Sequence, residues 1–174
     1  MPAPEDFSRE PEKPLFALLD RLGLAWRNTT HIPVFTVAES AQVKTSIPGG
    51  HTKNLFMKDK KGQLVLVSAH AESQLPLNQL HKVLGTQRLS FTDAPLLWEA
   101  LGVTPGSVTG FALMNDQARH VRFVADEALL AFETLNFHPL RNDMTVSIAK
   151  ADFLAFAGAT GHEVERIDFT KMGG

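Results

Sequence analysis

The sequence predicts an α+β fold: a single domain with a central mixed, mainly antiparallel sheet and flanking helices. Three observations carry that expectation. Short β-branched and aromatic runs alternate with helical periodicities, strand pairs joined by tight turns outnumber clean strand–helix–strand units, and neither an internal repeat nor a linker divides the chain. At 174 residues it has the length of one domain. A chain of that size buries about 70% of its unfolded surface, enough for a core without cross-links.

Residues 1–14 hold four prolines among mixed charges and read as a flexible lead-in to a domain over residues 15–171. Leu15, Leu18, Leu19 and Leu22 recur at helical spacing, and Gly23 supplies a stop. Val34–Val37 reads as extended and leads into a short helix around Glu39–Thr45, which Ile47-Pro48-Gly49-Gly50 breaks. Strands Asn54–Lys58 and Gln63–Ser68 flank the Asp59–Gly62 turn as a hairpin. A helix starts after Pro76, with Leu77, Leu80, Val83 and Leu84 inward and Gly85 at its end. Arg88–Phe91 reads as a short strand. Thr92 or Asp93 then caps a helix carrying Leu96, Leu97, Ala100 and Leu101, closed by Gly102. Thr109–Met114 and His120–Ala125 read as strands around an Asn115–Ala118 turn. A short helix at Glu127–Phe132, strands at Leu135–Phe137 and Thr145–Ala149, a helix at Ala151–Ala159 and a strand at Val164–Phe169 complete the chain.

Composition excludes several chemistries. With no cysteine there is no disulfide framework, thiolate nucleophile or sulfur-rich metal site. No run of about 20 apolar residues is present to form a membrane-spanning helix. Met-Pro-Ala-Pro-Glu-Asp lacks the basic and apolar regions of a signal peptide, so a cytoplasmic location is expected. Seventeen basic against nineteen acidic residues argue against a protein that coats nucleic acid. Between Lys44 and Lys61, however, five lysines face one aspartate. That spot suits a local phosphate contact, although Lys60 and Lys61 equally fit a solvated turn.

Pro48-Gly49-Gly50-His51-Thr52-Lys53-Asn54 is the most informative stretch. Its glycines allow close approach of a ligand and can offer N–H groups to an anion, with Lys53 as a point charge. A phosphate-binding NTPase loop needs Gly-Lys-Ser/Thr opening a helix, whereas Lys53 follows Thr52 and opens a strand. In Pro105-Gly106-Ser107-Val108-Thr109-Gly110, Ser107 sits one place too early for a hydrolase elbow. That loop reads as either a plain turn or a rigid source of N–H and hydroxyl donors. The seven histidines show no metal-binding spacing, and no cofactor is expected. His138, held extended before Pro139, is placed to aim its ring into a pocket or to serve as a satisfied structural histidine.

His31-Ile-Pro-Val-Phe35, Gly49-Gly-His-Thr-Lys-Asn-Leu-Phe56, Thr104-Pro-Gly-Ser-Val108 and Asn136-Phe-His-Pro-Leu140 stand here in a particular order. Together, over residues 15–169, they resemble the YbaK-like aminoacyl-tRNA deacylases, and within them the ProX type that edits mischarged prolyl-tRNA. The resemblance implies hydrolysis of the ester between alanine and proline tRNA. Its partners would be the acceptor end of that tRNA and, as a candidate, prolyl-tRNA synthetase. A synthetase pocket sized for proline cannot strongly reject alanine, because missing methylenes are worth only about 1–3 kcal/mol. A second site that excludes proline restores accuracy.

Carried over by that resemblance, Lys53, Asn54 and His138 are the catalytic candidates. Lys53 would hold a phosphate or polarise the ester, and His138 would orient the ester or shape the pocket. Around them, Gly49, Gly50, Gly106 and Ser107 are expected to stabilise the oxyanion. Phe35, Ile47 and Pro48 are expected to form apolar walls, and His51, Thr52 and Val108 to line the substrate site. The loop at Pro105–Gly110 departs from the Gly-x-x-x-Pro pattern of many YbaK-like proteins and argues against the cysteine-editing branch. Two rivals stay open: another aminoacyl specificity (Cys, Ser or Thr), and a module that binds such ligands without hydrolysis. No apolar face is marked as an oligomer interface.

Overall fold

The computed structural model describes residues 10–33 and 37–172, the side chains of Val37 and Ala38 excepted. Its strands are β1 (Trp26–Thr30), β2 (Gly50–Lys58), β3 (Leu64–His70), β4 (Ser90–Phe91), β5 (Val121–Asp126), β6 (Thr134–Phe137), β7 (Met144–Ala149) and β8 (Val164–Ile167). They form one sheet in the order β1-β7-β6-β2-β3-β5-β8, with β4 added to β2. Among the described residues, the β1–β7, β2–β3, β2–β4 and β6–β7 pairings are antiparallel, and β2–β6, β3–β5 and β5–β8 are parallel. Helices α1 (Glu12–Arg21), α2 (Val37–Ser46), α3 (Leu77–Leu84), α4 (Ala94–Leu101), α5 (Glu127–Leu130) and α6 (Lys150–Ala159) complete the α+β domain.

Side-chain alternation divides the interior. Phe56, Leu66, Phe123, Leu135, Phe137, Val146 and Ile148 point to one face and join Phe111, Phe153 and Phe156 in the main core. Phe137 and Phe153 stack with centroids 4.3 Å apart. Met57, Val65, Val67 and Ala69 point to the other face, under Leu80 and Leu84 of α3. The hairpin register runs unbroken from Thr52↔His70 to Lys58↔Leu64. Its turn is tied by the Asp59 carboxylate, which accepts from the backbone N–H groups of Lys61, Gln63 and Gln87 at 2.8–3.0 Å.

Several local expectations need correction. The strand expected at Thr109–Met114 is a 3₁₀ helix, Gly110–Asn115, whose start is capped by Thr109 Oγ1 accepting from the Phe111 N–H. Its Phe-Ala-Leu run is buried all round, and such a run carries no period to separate strand from helix. Strand β1 has no counterpart in the sequence pattern, because Trp-Arg-Asn-Thr-Thr lacks apolar alternation; it exists through its register with β7. Residues 34–36 lie outside the described residues, and Val37 is already helical. Helix α1 begins at Glu12, inside the segment read as a lead-in, and Glu12 is buried against Arg141. The strand at Arg88–Phe91 shrinks to its last two residues. β8 ends at Ile167, after which Asp168 caps a 3₁₀ turn over Phe169–Lys171.

Candidate active site

Residues opposite one another in a sheet project to the same side. The pairs His51↔Asn136, Asn136↔Ser147, Arg27↔Ser147 and Thr29↔Thr145 therefore raise a polar row on the face away from the phenylalanine core. Helix α2 lies over this row. Between them is a cavity of about 40 Å³, lined by Ser40, Val43 and Lys44 of α2, His51 and Thr52 of β2, Asn136 and Phe137 of β6, His138, and Thr145 of β7.

The imidazoles here have their proton positions set by carbonyl oxygens, which can only accept. His138 Nδ1 lies 3.0 Å from the Met144 carbonyl, so it carries the proton and leaves Nε2 as the acceptor of a neutral ring. Burial pushes the His138 pKa down, against the bond to Met144. His51 is held the other way round: Nε2–H donates to the Ile47 carbonyl at 2.7 Å, and burial lowers its pKa too. His31 donates from Nδ1 to the Ile32 carbonyl (2.7 Å) and accepts at Nε2 from the Thr145 hydroxyl (2.8 Å). Its ring centroid stands 6.3 Å from that of His138.

Asn136 laces the walls together. Its Oδ1 accepts from Ser147 Oγ at 2.6 Å, its Nδ2 donates to the Pro48 carbonyl at 3.1 Å, and its own carbonyl accepts from Thr52 Oγ1 at 2.8 Å. The two glycines permit that approach. Gly49 has φ +110°, and a Cβ there would come within 2.9 Å of Asn136 Nδ2 and the Thr134 carbonyl. A Cβ on Gly50 would stand 2.7 Å from the Phe132 ring, which is stacked on His70.

Lys53 and Asn54 point to opposite faces of β2. Lys53 shares the His51 face, beyond the cavity lining, and its ammonium donates to the Ser73 carbonyl. Ser73 is anchored in turn, its hydroxyl donating to Asp126 Oδ2. Asn54 accepts from the Ser68 hydroxyl and donates to Thr52 Oγ1 at 3.2 Å, on the phenylalanine side. Of the expected walls, Ile47 is buried and Pro48 is exposed; Phe35 lies outside the described residues. Gly106, Ser107 and Val108 do not line this cavity. Ser107 is buried, its N–H donating to the Thr104 carbonyl at 2.9 Å, and Val108 packs on the main core. Ser40, Val43, Lys44, Asn136 and Thr145 were not singled out for the site from sequence. The one available signal was Asn136 two residues before His138, at the strand period that sends both to one face. No cluster of His, Asp or Glu able to hold a metal occurs among the described residues.

A family model described as the aminoacyl-tRNA editing domain matches residues 31–156, a span that includes both walls of the cavity. The cattle (Bos taurus) prolyl-tRNA synthetase associated domain-containing protein 1 is 39% identical over 146 residues, covering 81% of this chain and 85% of its own. The prolyl-tRNA editing protein ProX of Acetoanaerobium sticklandii is 30% identical over 155 residues, covering 88% and 94%. A crystal structure provisionally described as a trans-editing enzyme for prolyl tRNA synthetase superposes with a TM-score of 0.70 at 18% identity. It covers 91% of this chain and 96% of that one, and shows the same fold. The chain belongs to the aminoacyl-tRNA editing domain family. It is an aminoacyl-tRNA deacylase.

Proposed function

We propose that this deacylase acts in trans on proline tRNA mischarged with alanine, releasing alanine and intact tRNA. The observation that carries this reading is the small polar cavity under α2. Its confined lining, with the polar side chains of His51, Asn136, His138 and Thr145, suits the amino group and short side chain of an alanyl ester. Exclusion by size is what an editing site needs, since attraction alone separates amino acids that differ by methylenes only weakly. The names of the cattle protein and of ProX, which tie those relatives to prolyl-tRNA, support the choice of tRNA.

In this reading the neutral His138 offers Nε2 to the substrate's α-ammonium, orienting the ester. An ammonium has three donors, and Lys53 spends one on Ser73. The others polarise the ester carbonyl or hold the terminal phosphate. Water adds to the carbonyl carbon, assisted by the neighbouring ribose hydroxyl, and the C–O bond to the tRNA breaks with a proton passing to the leaving ribose oxygen. Preorganised donors toward the oxyanion are worth about 3–4 kcal/mol each.

The test is deacylation of alanine-, proline- and cysteine-charged proline tRNA by the wild type and Lys53→Ala. Only the alanyl ester is hydrolysed, and the substitution lowers that rate by about 100-fold or more. Near-normal turnover by Lys53→Ala at saturating substrate overturns the mechanism. Preferential cleavage of the cysteinyl ester overturns the specificity.

A further inference from the structure

The loop after β3, residues 71–76, carries the carbonyl on which the Lys53 ammonium rests, that of Ser73. A lysine stem is flexible and its three N–H donors rotate, so an ammonium that must point at one reacting atom needs an outside hold. Ser73 is itself gripped from the other side. Its Oγ donates to Asp126 Oδ2 at 2.5 Å, the short bond that a hydroxyl makes to an ionised carboxylate. The Ser73 N–H donates to the His70 carbonyl at 2.9 Å, and the Ala71 N–H to the His51 carbonyl at 2.8 Å. The loop is thereby fixed to β2 and to the end of β5 while it presents its acceptor to Lys53.

Asp126 is an unusual anchor. It is 1% exposed at the end of β5, and no cation pairs with it among the described residues. A buried carboxylate without a counter-charge is costly unless hydrogen bonds satisfy its oxygens. Oδ1 accepts from the Ala128 N–H at 3.0 Å and caps α5. Serine or asparagine would cap a helix as well, so capping alone does not call for a charge. Oδ2 accepts from the His70 N–H at 3.0 Å and from the Ser73 hydroxyl. From that oxygen the path runs through Ser73 to a positive charge, the Lys53 ammonium.

We propose that Asp126 is a positioning residue: acting through Ser73, it holds the Lys53 ammonium so that its two remaining N–H groups point at the substrate. This rests on the role given to Lys53 above and adds what fixes that side chain.

The test uses Ser73→Ala, which severs the link to Asp126 and leaves the backbone carbonyl at that position. Ser73→Thr keeps a hydroxyl, and Lys53→Ala is made alone and combined with Ser73→Ala. Deacylation of alanyl-tRNA(Pro) falls about tenfold or more in Ser73→Ala, within the ~100-fold that a displacement of about 1 Å costs, and recovers in Ser73→Thr. In the Lys53→Ala background the same change has no further effect, because the residue it acts through is gone. An equal fold loss in both backgrounds overturns the proposal, as does an unchanged rate in Ser73→Ala where Lys53→Ala is impaired. A second readout needs no turnover. Acetic anhydride labels lysine amines, and an amine held to a carbonyl must give up that bond before it reacts. Peptide mass spectrometry is expected to show Lys53 labelled several-fold faster, relative to the exposed Lys60 and Lys61, in Ser73→Ala and in Asp126→Asn. Unchanged relative labelling in Ser73→Ala overturns the proposal, whether or not Asp126→Asn folds. Faster labelling together with normal turnover by Lys53→Ala leaves the hold on Lys53 standing and removes the mechanism to which it was assigned.

Discussion

His138 donates Nδ1–H to a backbone carbonyl and sits in a polar row that burial keeps from charging, so its free Nε2 is an acceptor over the whole neutral range. An imidazolium would instead repel the α-ammonium of an aminoacyl ester. The acid limb of kcat/KM is therefore expected below the ordinary imidazole value of about 6.5. In His138→Gln that limb is expected to change as discrimination between alanyl and larger esters relaxes; a pH–rate series on both esters checks it. The same burial has a stability consequence whose sign is fixed. The unfolded chain takes up its proton first, so the contribution of neutral His51 and His138 is complete above about pH 6.5 and is lost as pH falls toward their lower folded values. Urea midpoints are expected to fall less steeply below about pH 6.5 in His138→Gln than in the wild type. Lys53, His51 and His138 were visible in the sequence because each stands in a distinctive local run. Asn136, Thr145 and Ser40 were not, since their place in the site comes from partners on other elements.

Strand β2 meets three partners: β3 along its length, β6 at its first two residues and β4 at its last two. Gly49 and Gly50 make the β6 junction possible, for different reasons. At Gly50 a methyl group meets the Phe132 side chain at 2.7–3.0 Å, and at Gly49 it meets backbone at a φ that L residues avoid. Gly50→Ala is expected to cost about 1–3 kcal/mol through overpacking against Phe132. Phe132→Ala in the same chain is expected to recover part of that loss while leaving Gly49→Ala unrescued; thermal midpoints of the three variants decide it. The hairpin and helices α3 and α4 were legible because period, turn and cap agreed within a few residues. Strand β1 and the 3₁₀ helix at Gly110–Asn115 were not, the first because its residues follow its partner and the second because a fully buried run has no period.

Across the whole molecule, Arg141 ties α1 to the loop between β6 and β7. It bonds Glu12 of α1 at 2.9 Å and grips both oxygens of Asp143, and the Asp143 carbonyl receives the His31 N–H. The loop so held contains Leu140 at φ +69°, a conformation most side chains avoid, between His138 and Thr145 of the cavity wall. Glu12→Ala, which removes one carboxylate partner of Arg141 and leaves the Asp143 pair, is expected to cost about 1.5–3 kcal/mol in urea unfolding. Composition indicated a single α+β domain from length and pattern alone. This clasp was illegible, because Glu12 fell in a proline-rich stretch that looked like a tail. The His31–Thr145 bond that closes the same wall spans 114 residues of sequence. At ~5–20 residues per second of synthesis that separation lasts roughly 6–23 s. Until Thr145 is made, a nascent chain on the ribosome carries first His31 and then His51 and Lys53 with no opposing wall, so the capacity to strip charged tRNA arrives only when almost the whole domain has been translated.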